Sequence, residues 1–148
     1  MENTMNALLE RARQGYVETQ IAVGNDYLQG RNGFPEDDNE AFMWFKRAAE
    51  KNHPMGLCMV GEMYQYGYGV EKDYDEALKW YYRSAELNCG RAEFRIGWLY
   101  SHAALLTGRI SIAPSTEQAV YFYSRAIEHG YTDNMGILEI FSATGGLI

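Results

Sequence analysis

The stretch from Val60 to Asn88, VGEMYQYGYGVEKDYDEALKWYYRSAELN, returns upstream from Val23 as VGNDYLQGRNGFPEDDNEAFMWFKRAAEKN. Gly24 falls on Gly61, Tyr27 on Tyr64 and Gly30 on Gly67, each 37 residues apart; after one extra residue in the first turn the offset becomes 36, which aligns Asp37 with Asp73, Ala41 with Ala77, Trp44 with Trp80 and Arg47 with Arg83. A third copy places Gly97 and Tyr100 a further 36 residues on, then resumes with Ala119, Phe122 and Arg125 at an offset of 42, so its turn carries six extra residues. A repeat of this length is one supersecondary unit that cannot bury its apolar face alone. Successive units must stack to make a continuous core.

Each unit reads as two helices. Asp37-x-x-Glu40, Asp73-x-x-Glu76 and Ser115-x-x-Gln118 are start signals for the second helix, because a short oxygen-bearing side chain satisfies orphan N–H groups and the residue three positions on reaches back to it. The first helix carries Gly24, Gly61 or Gly97 in its interior, at a cost of roughly 1 kcal/mol relative to alanine. Close approach of two helices is the expected compensation, with Ala41, Ala77 and Ala119 supplying the opposing small surface and Tyr27, Tyr64, Tyr100, Trp44, Trp80 and Phe122 filling the wider layers. Gly67 and Gly69 allow the positive φ values of a tight turn between the helices.

The chain of 148 residues is read as a single domain, 1–148. Its most apolar stretch, His102 to Pro114, is interrupted by Gly108 and Arg109 and is too short to cross a bilayer. The first residues, MENTMNALLERARQG, lack the basic start and apolar run of a secretion signal, so a cytoplasmic location is expected. Cys58 and Cys89 have no CxxC spacing and read as reduced thiols. A net charge of −7 argues against wrapping nucleic acid and suits a basic partner.

The residues Gly61, Tyr64, Gly67, Gly69, Val70, Asp73, Ala77, Trp80 and Ala85 resemble the pattern of the Sel-one-like repeats (SLR), relatives of the tetratricopeptide repeats. The resemblance implies an all-α solenoid of antiparallel helix pairs in a right-handed superhelix, with the first helices lining its concave side. Units are expected at about 16–52, 53–88 and 89–130, with capping helices at about 3–14 and 132–143, or about eight helices in all. The first unit departs from the pattern at GRNGFP and the third at AALLTGRISIAPS.

Catalytic signals are absent from the sequence pattern. His53, His102 and His129 form no metal-ligand spacing; His53 precedes Pro54 at a helix start and His129 lies near a helix end. Gly67-Tyr68-Gly69 lacks the Lys-Ser/Thr of a phosphate loop. No catalytic, cofactor-binding or metal-binding residue is therefore assigned, and the chain is read as a non-enzymatic module that binds one protein partner on its concave surface. Partner-contact candidates are Asn25, Glu62 and Trp98, which share one variable position, together with Arg95 on the same helix face as Trp98 and the turn tyrosines Tyr66 and Tyr68. The third turn, 103–114, is a further candidate surface. The resemblance extends to short bacterial SLR proteins that act as dedicated inhibitors, which makes neutralisation of a basic toxin such as a nuclease the sharpest reading. A β-lactamase-like hydrolase and an adaptor or chaperone for a peptide are the alternatives, the former without a Ser-x-x-Lys motif.

Overall fold

A computed structural model describes residues 2–131, and all regular structure in them is helical. Helix α1 (Glu2–Arg13) is followed by three pairs: α2 (Val17–Gln29) with α3 (Asp38–Glu50), α4 (Pro54–Tyr66) with α5 (Tyr74–Ala85), and α6 (Gly90–His102) with α7 (Thr116–Glu128). A short 3-10 turn, Ala103–Leu105, extends α6. Each helix packs on its sequence neighbours, which is the layout of a solenoid. The expected first cap corresponds to α1, whereas the expected helix over 132–143 lies outside the described residues.

The three second helices start where their caps predict. Asp37, Asp73 and Ser115 accept hydrogen bonds from the backbone N–H of Glu40, Glu76 and Gln118 at 3.1, 3.0 and 3.1 Å. The reciprocal half of the capping box is replaced by a bond between helices. The N–H of Asp37, Asp73 and Ser115 donates to the carbonyl of the motif tyrosine, Tyr27, Tyr64 or Tyr100, at 2.8, 2.9 and 3.1 Å. Each cap therefore ties the start of a second helix to the end of the first. Between them, Gly67 ends α4 at φ 73° and Gly69 follows at φ 74°; a Cβ on Gly69 would also meet the Asp38 carbonyl oxygen at 2.5 Å. The connections between units use a left-handed residue too, Asn52 at φ 58° and Asn88 at φ 62°, a region that Asn tolerates better than most side chains.

The interior glycines face rings rather than only alanines. Ala41, Ala77 and Ala119 are fully buried, but the groups lying against Gly24, Gly61 and Gly97 are Phe45, Tyr81 and Tyr123, one helical turn after each alanine. A Cβ added at Gly61 would sit 2.6 Å from the Tyr81 ring, and at Gly97 2.7 Å from the Tyr123 ring. Tyr81 is fully buried and donates its hydroxyl to the Oε1 of buried Gln65, so it cannot swing away cheaply.

The arginine that recurs in each second helix has a shared structural use in two units. Arg47 lies 4.4 Å over the Trp44 ring and Arg83 4.8 Å over Trp80. In the third unit Phe122 replaces the tryptophan, and Arg125 instead donates through Nε to Glu93 Oε2 at 2.8 Å. Glu93 is completely buried, and its other oxygen lies 2.6 Å from His129 Nδ1 at the end of α7.

Gly61→Ala gains helix propensity worth about 1 kcal/mol, yet should lower stability by about 1–2 kcal/mol net, because overpacking against a fixed ring outweighs it. A thermal melt at or above the parent midpoint would remove the ring contact from the account. Asp73→Ala should cost about 1 kcal/mol by denaturant titration, from loss of the cap to Glu76.

Candidate partner-binding site

The 37- and 36-residue offsets place equivalent residues of α2, α4 and α6 side by side along one face of the solenoid. Its rows are Glu18, Met55 and Arg91; Ala22, Met59 and Arg95; Asn25, Glu62 and Trp98; and Gln29, Tyr66 and His102. These residues change from unit to unit while the motif around them repeats. Exposed Glu18, Ala22 and Gln29 leave the first unit small and polar, whereas the third unit presents two guanidinium groups and two rings.

Glu62 departs from its expected open position: it is 5% exposed. Arg91 and Arg95 close over it from α6, Arg91 as a two-bond fork with Nη2 to Oε1 at 2.8 Å and Nε to Oε2, and Arg95 with Nη2 to Oε1 at 3.3 Å. The reason is register: α4 and α6 lie next to one another, so a carboxylate at position 62 faces the first two turns of α6. Arg91, which sequence reasoning missed, is the main partner. Its only signal in the sequence is that it stands one unit after Met55, two turns before Trp98 on the same face. The Glu62 hydrogen bonds and charge raise the Arg91 pKa in spite of burial, which acts in the opposite direction. Arg95 is raised as well, chiefly by Glu62 working against the same burial.

Arg95 also donates through Nη1 to the Tyr66 hydroxyl at 2.8 Å, with its Cζ 5.6 Å from the Tyr66 ring centre. Tyr66 stacks on Tyr68 at 5.7 Å and 26°, and the two rings are 45% and 41% exposed. The candidates Glu62, Arg95, Tyr66 and Tyr68 thus form one connected cluster with Arg91. Asn25, half-buried on α2, is not part of it. Trp98 is not the open anchor expected from the polar residues at its equivalents. It is half-buried, packs against the buried apolar residues of the second and third units, and stacks on His102 at 4.3 Å and 13°.

The extended third turn folds back over the second unit. Leu106, Ile110 and Ile112 pack on that unit's core, the Tyr74 N–H donates to the Arg109 carbonyl at 2.9 Å, and the Ser111 N–H donates to Asp75 Oδ1 at 2.8 Å. It leaves an open groove of about 620 Å³ beside Leu78, Tyr82, Tyr100 and Pro114.

Beneath the cluster lie both cysteines. Burial pushes the Cys58 thiol well up, and its Sγ lies 3.6 Å from Glu62 Oε2. Cys89 occupies the N-cap position of α6 and is drawn down from 9.0 to about 6, first by a hydrogen bond with the Cys58 side chain, with burial opposing; a helix N-terminus acts in the same sense. Among the described residues no group of three or more His, Cys, Asp or Glu is placed to hold a metal ion, and no helix is long and apolar enough to cross a membrane.

A family model described as Sel1 repeat matches residues 17–53, 54–89 and 90–131. The chain belongs to the Sel1 repeat family. A Sel1 repeat protein from Oxalobacter formigenes is similar in structure, with TM-score 0.72, 34% identity, and coverage of 87% of this chain and 50% of that one. A protective antigen of uropathogenic Escherichia coli with an SLR fold gives TM-score 0.79 and 28% identity over 96% of this chain and 29% of its own. The ERAD-associated E3 ubiquitin-protein ligase component HRD3A of Arabidopsis thaliana is 33% identical over 59 residues, 40% of this chain and 9% of that protein. The chain thus spans half the length of these relatives or less. Sel1 repeats are generally non-enzymatic protein–protein interaction modules.

Iodoacetamide should label Cys89 with half-maximal thiolate reactivity near pH 6, while Cys58 stays unlabelled until the protein unfolds. Because the folded pKa of Cys89 is the lower one, its contribution to stability is present above pH 9 and drains away as pH falls through about 6. A Cys89 labelling curve centred near pH 9 would contradict this.

Proposed function

We propose that this chain is a binding module for one protein partner, which docks on the first-helix face of the second and third units. The observation that carries the reading is the cluster of Arg91, Arg95, Tyr66 and Tyr68, with Trp98 and His102 beside it: nonmotif residues gathered on a preformed surface. Packing fixes the motif, so these positions are the ones open to a specific partner. Rigid helix pairs limit the ordering cost of binding. Asn25 and Glu62 have secondary parts, Asn25 at the edge of the face and Glu62 as the group that holds the two arginines.

A second reading, inhibition of a basic toxin such as a nuclease domain, draws on the net charge of −7. Exposed acidic residues in the second helices and their turns, such as Glu36, Glu50, Glu71, Glu86 and Glu117, would supply that contact, since Glu62 is already neutralised. Protection of cells expressing a cognate toxin, abolished by charge reversal at those residues, would favour it. The single-domain organisation over 1–148 and a cytoplasmic site of action are part of the same proposal.

The photo-crosslinking amino acid p-benzoylphenylalanine at position 66 should yield an adduct in native cells, and at position 121, an exposed ring on α7, should not. Tyr66→Ala should lower affinity for the adduct's partner by roughly tenfold, with little change in melting temperature. Crosslinking from position 121 alone would move the interface to the second helices.

A further inference from the structure

The charge on the proposed docking face is opposite in sign to the charge of the protein. The chain carries 20 acidic against 13 basic residues, yet among the described residues the face of the second and third units holds Arg91 and Arg95 against one carboxylate, Glu62. That carboxylate is covered: its side chain is 6% exposed, while those of Arg91 and Arg95 are 37% and 18% exposed. A molecule approaching this face meets guanidinium groups, not Glu62. One of the two positive charges is balanced and one is left over. Moreover, Arg95 Nε is buried with no hydrogen-bond partner among the described residues. On the other side of Arg95, the polar group it holds among the described residues, besides Glu62, is the Tyr66 hydroxyl.

We infer that the partner presents an acidic segment to this face, with an Asp or Glu carboxylate seated on Arg91 and Arg95 and neighbouring side chains lying on the Tyr66 and Tyr68 rings. The inference rests on the docking face proposed above and adds the chemistry of what docks. Guanidinium groups prefer planar two-oxygen acceptors, and both arginines are already oriented by Glu62, so little side-chain freedom is lost on binding. Basic segments are rejected by the same excess charge. The exposed acidic residues elsewhere on the surface keep an acidic partner from binding indiscriminately and confine it to this patch.

The test is a selection from a displayed library of twelve-residue peptides against the intact protein, followed by fluorescence-anisotropy titrations of the selected peptides. The pool should be enriched in Asp and Glu over the input. Glu62→Gln keeps the shape of the buried side chain and frees the second guanidinium, so it should tighten acidic peptides by about threefold to tenfold at low salt; Arg91→Gln should weaken them by at least as much. The double variant Glu62→Gln/Arg91→Gln should return close to parent affinity. A merely structural role for Glu62 predicts loss of affinity in Glu62→Gln instead, and that outcome overturns the inference. So does a pool that is neutral or basic, or one with no binders. If such a pool still loses binding in Tyr66→Ala, the docking face stands and only its chemistry is wrong. Peptides indifferent to Tyr66→Ala and to all three charge variants would remove the docking face itself.

Discussion

In each unit a flat aromatic ring is laid against a glycine in the middle of the first helix. It sets the spacing of the pair, and the remaining features follow from that spacing. With Tyr81 on Gly61, the end of α4 comes near enough to the start of α5 for the Asp73 N–H to reach the Tyr64 carbonyl. The same geometry recurs with Phe45 on Gly24 and Tyr123 on Gly97. Between units a second small-residue contact takes over: a Cβ on Gly56 would stand 2.8 Å from the backbone of Ala48 and Ala49. A glycine contact within each unit thus sets the pair, and at the boundary of the first and second units a further glycine contact sets the stack.

Those contacts use up one side of each first helix. The side that carries Glu18, Met55 and Arg91, and the rows after them, repeats no motif residue, although Met59 and Glu62 on it are buried and Met55 and Trp98 also pack on the core. Its residues are free to differ, and they do, from small and polar in the first unit to cationic and aromatic in the third. The proposed docking residues therefore share the three first helices with the core and draw only on positions that the motif leaves variable. This separation lets a repeat keep its core while changing its partner.

The fold was legible because its signals are local. Each cap needs only four consecutive residues, and each left-handed turn needs one Gly or Asn. The packing partner of the glycines was less so. Phe45, Tyr81 and Tyr123 each follow another aromatic residue, and in WF, WY and FY nothing local says which ring points inward. Helical register decides it: the ring on the glycine is four residues after the buried alanine, while the ring before it, buried in Trp44 and Phe122 and half-buried in Trp80, packs elsewhere. The candidate site was legible in part. Arg95, Tyr66 and Tyr68 fall together as surface residues, but the Glu62 and Arg91 pair depends on two helices 29 residues apart lying side by side with a particular offset. Trp98 is half-buried although its equivalents Asn25 and Glu62 are polar, because a polar residue at a position does not imply that the position is exposed. Glu62 is polar and buried, a state that charge pairing permits and composition cannot reveal.

Two buried carboxylates show how position within the repeat decides what a charge does. Glu93 and Glu62 both lie on first helices, and each is held by two nitrogen-bearing side chains. Glu93 faces α7, where Arg125 and His129 close over it, so its charge joins the two helices of a single unit. Its equivalent in the second unit is Leu57, fully buried, and Arg83 there stays on Trp80; the third unit has exchanged an apolar contact and a ring for an ion pair of matching reach. Glu62 faces α6 across the unit boundary, and the arginines it holds remain partly open. A buried ion pair adds little stability over an apolar replacement of the same shape. In the case of Glu93 it adds a polar link between α6 and the end of α7. For Glu62 the same cost leaves two guanidinium groups oriented at a surface, the arrangement on which the proposed docking face rests.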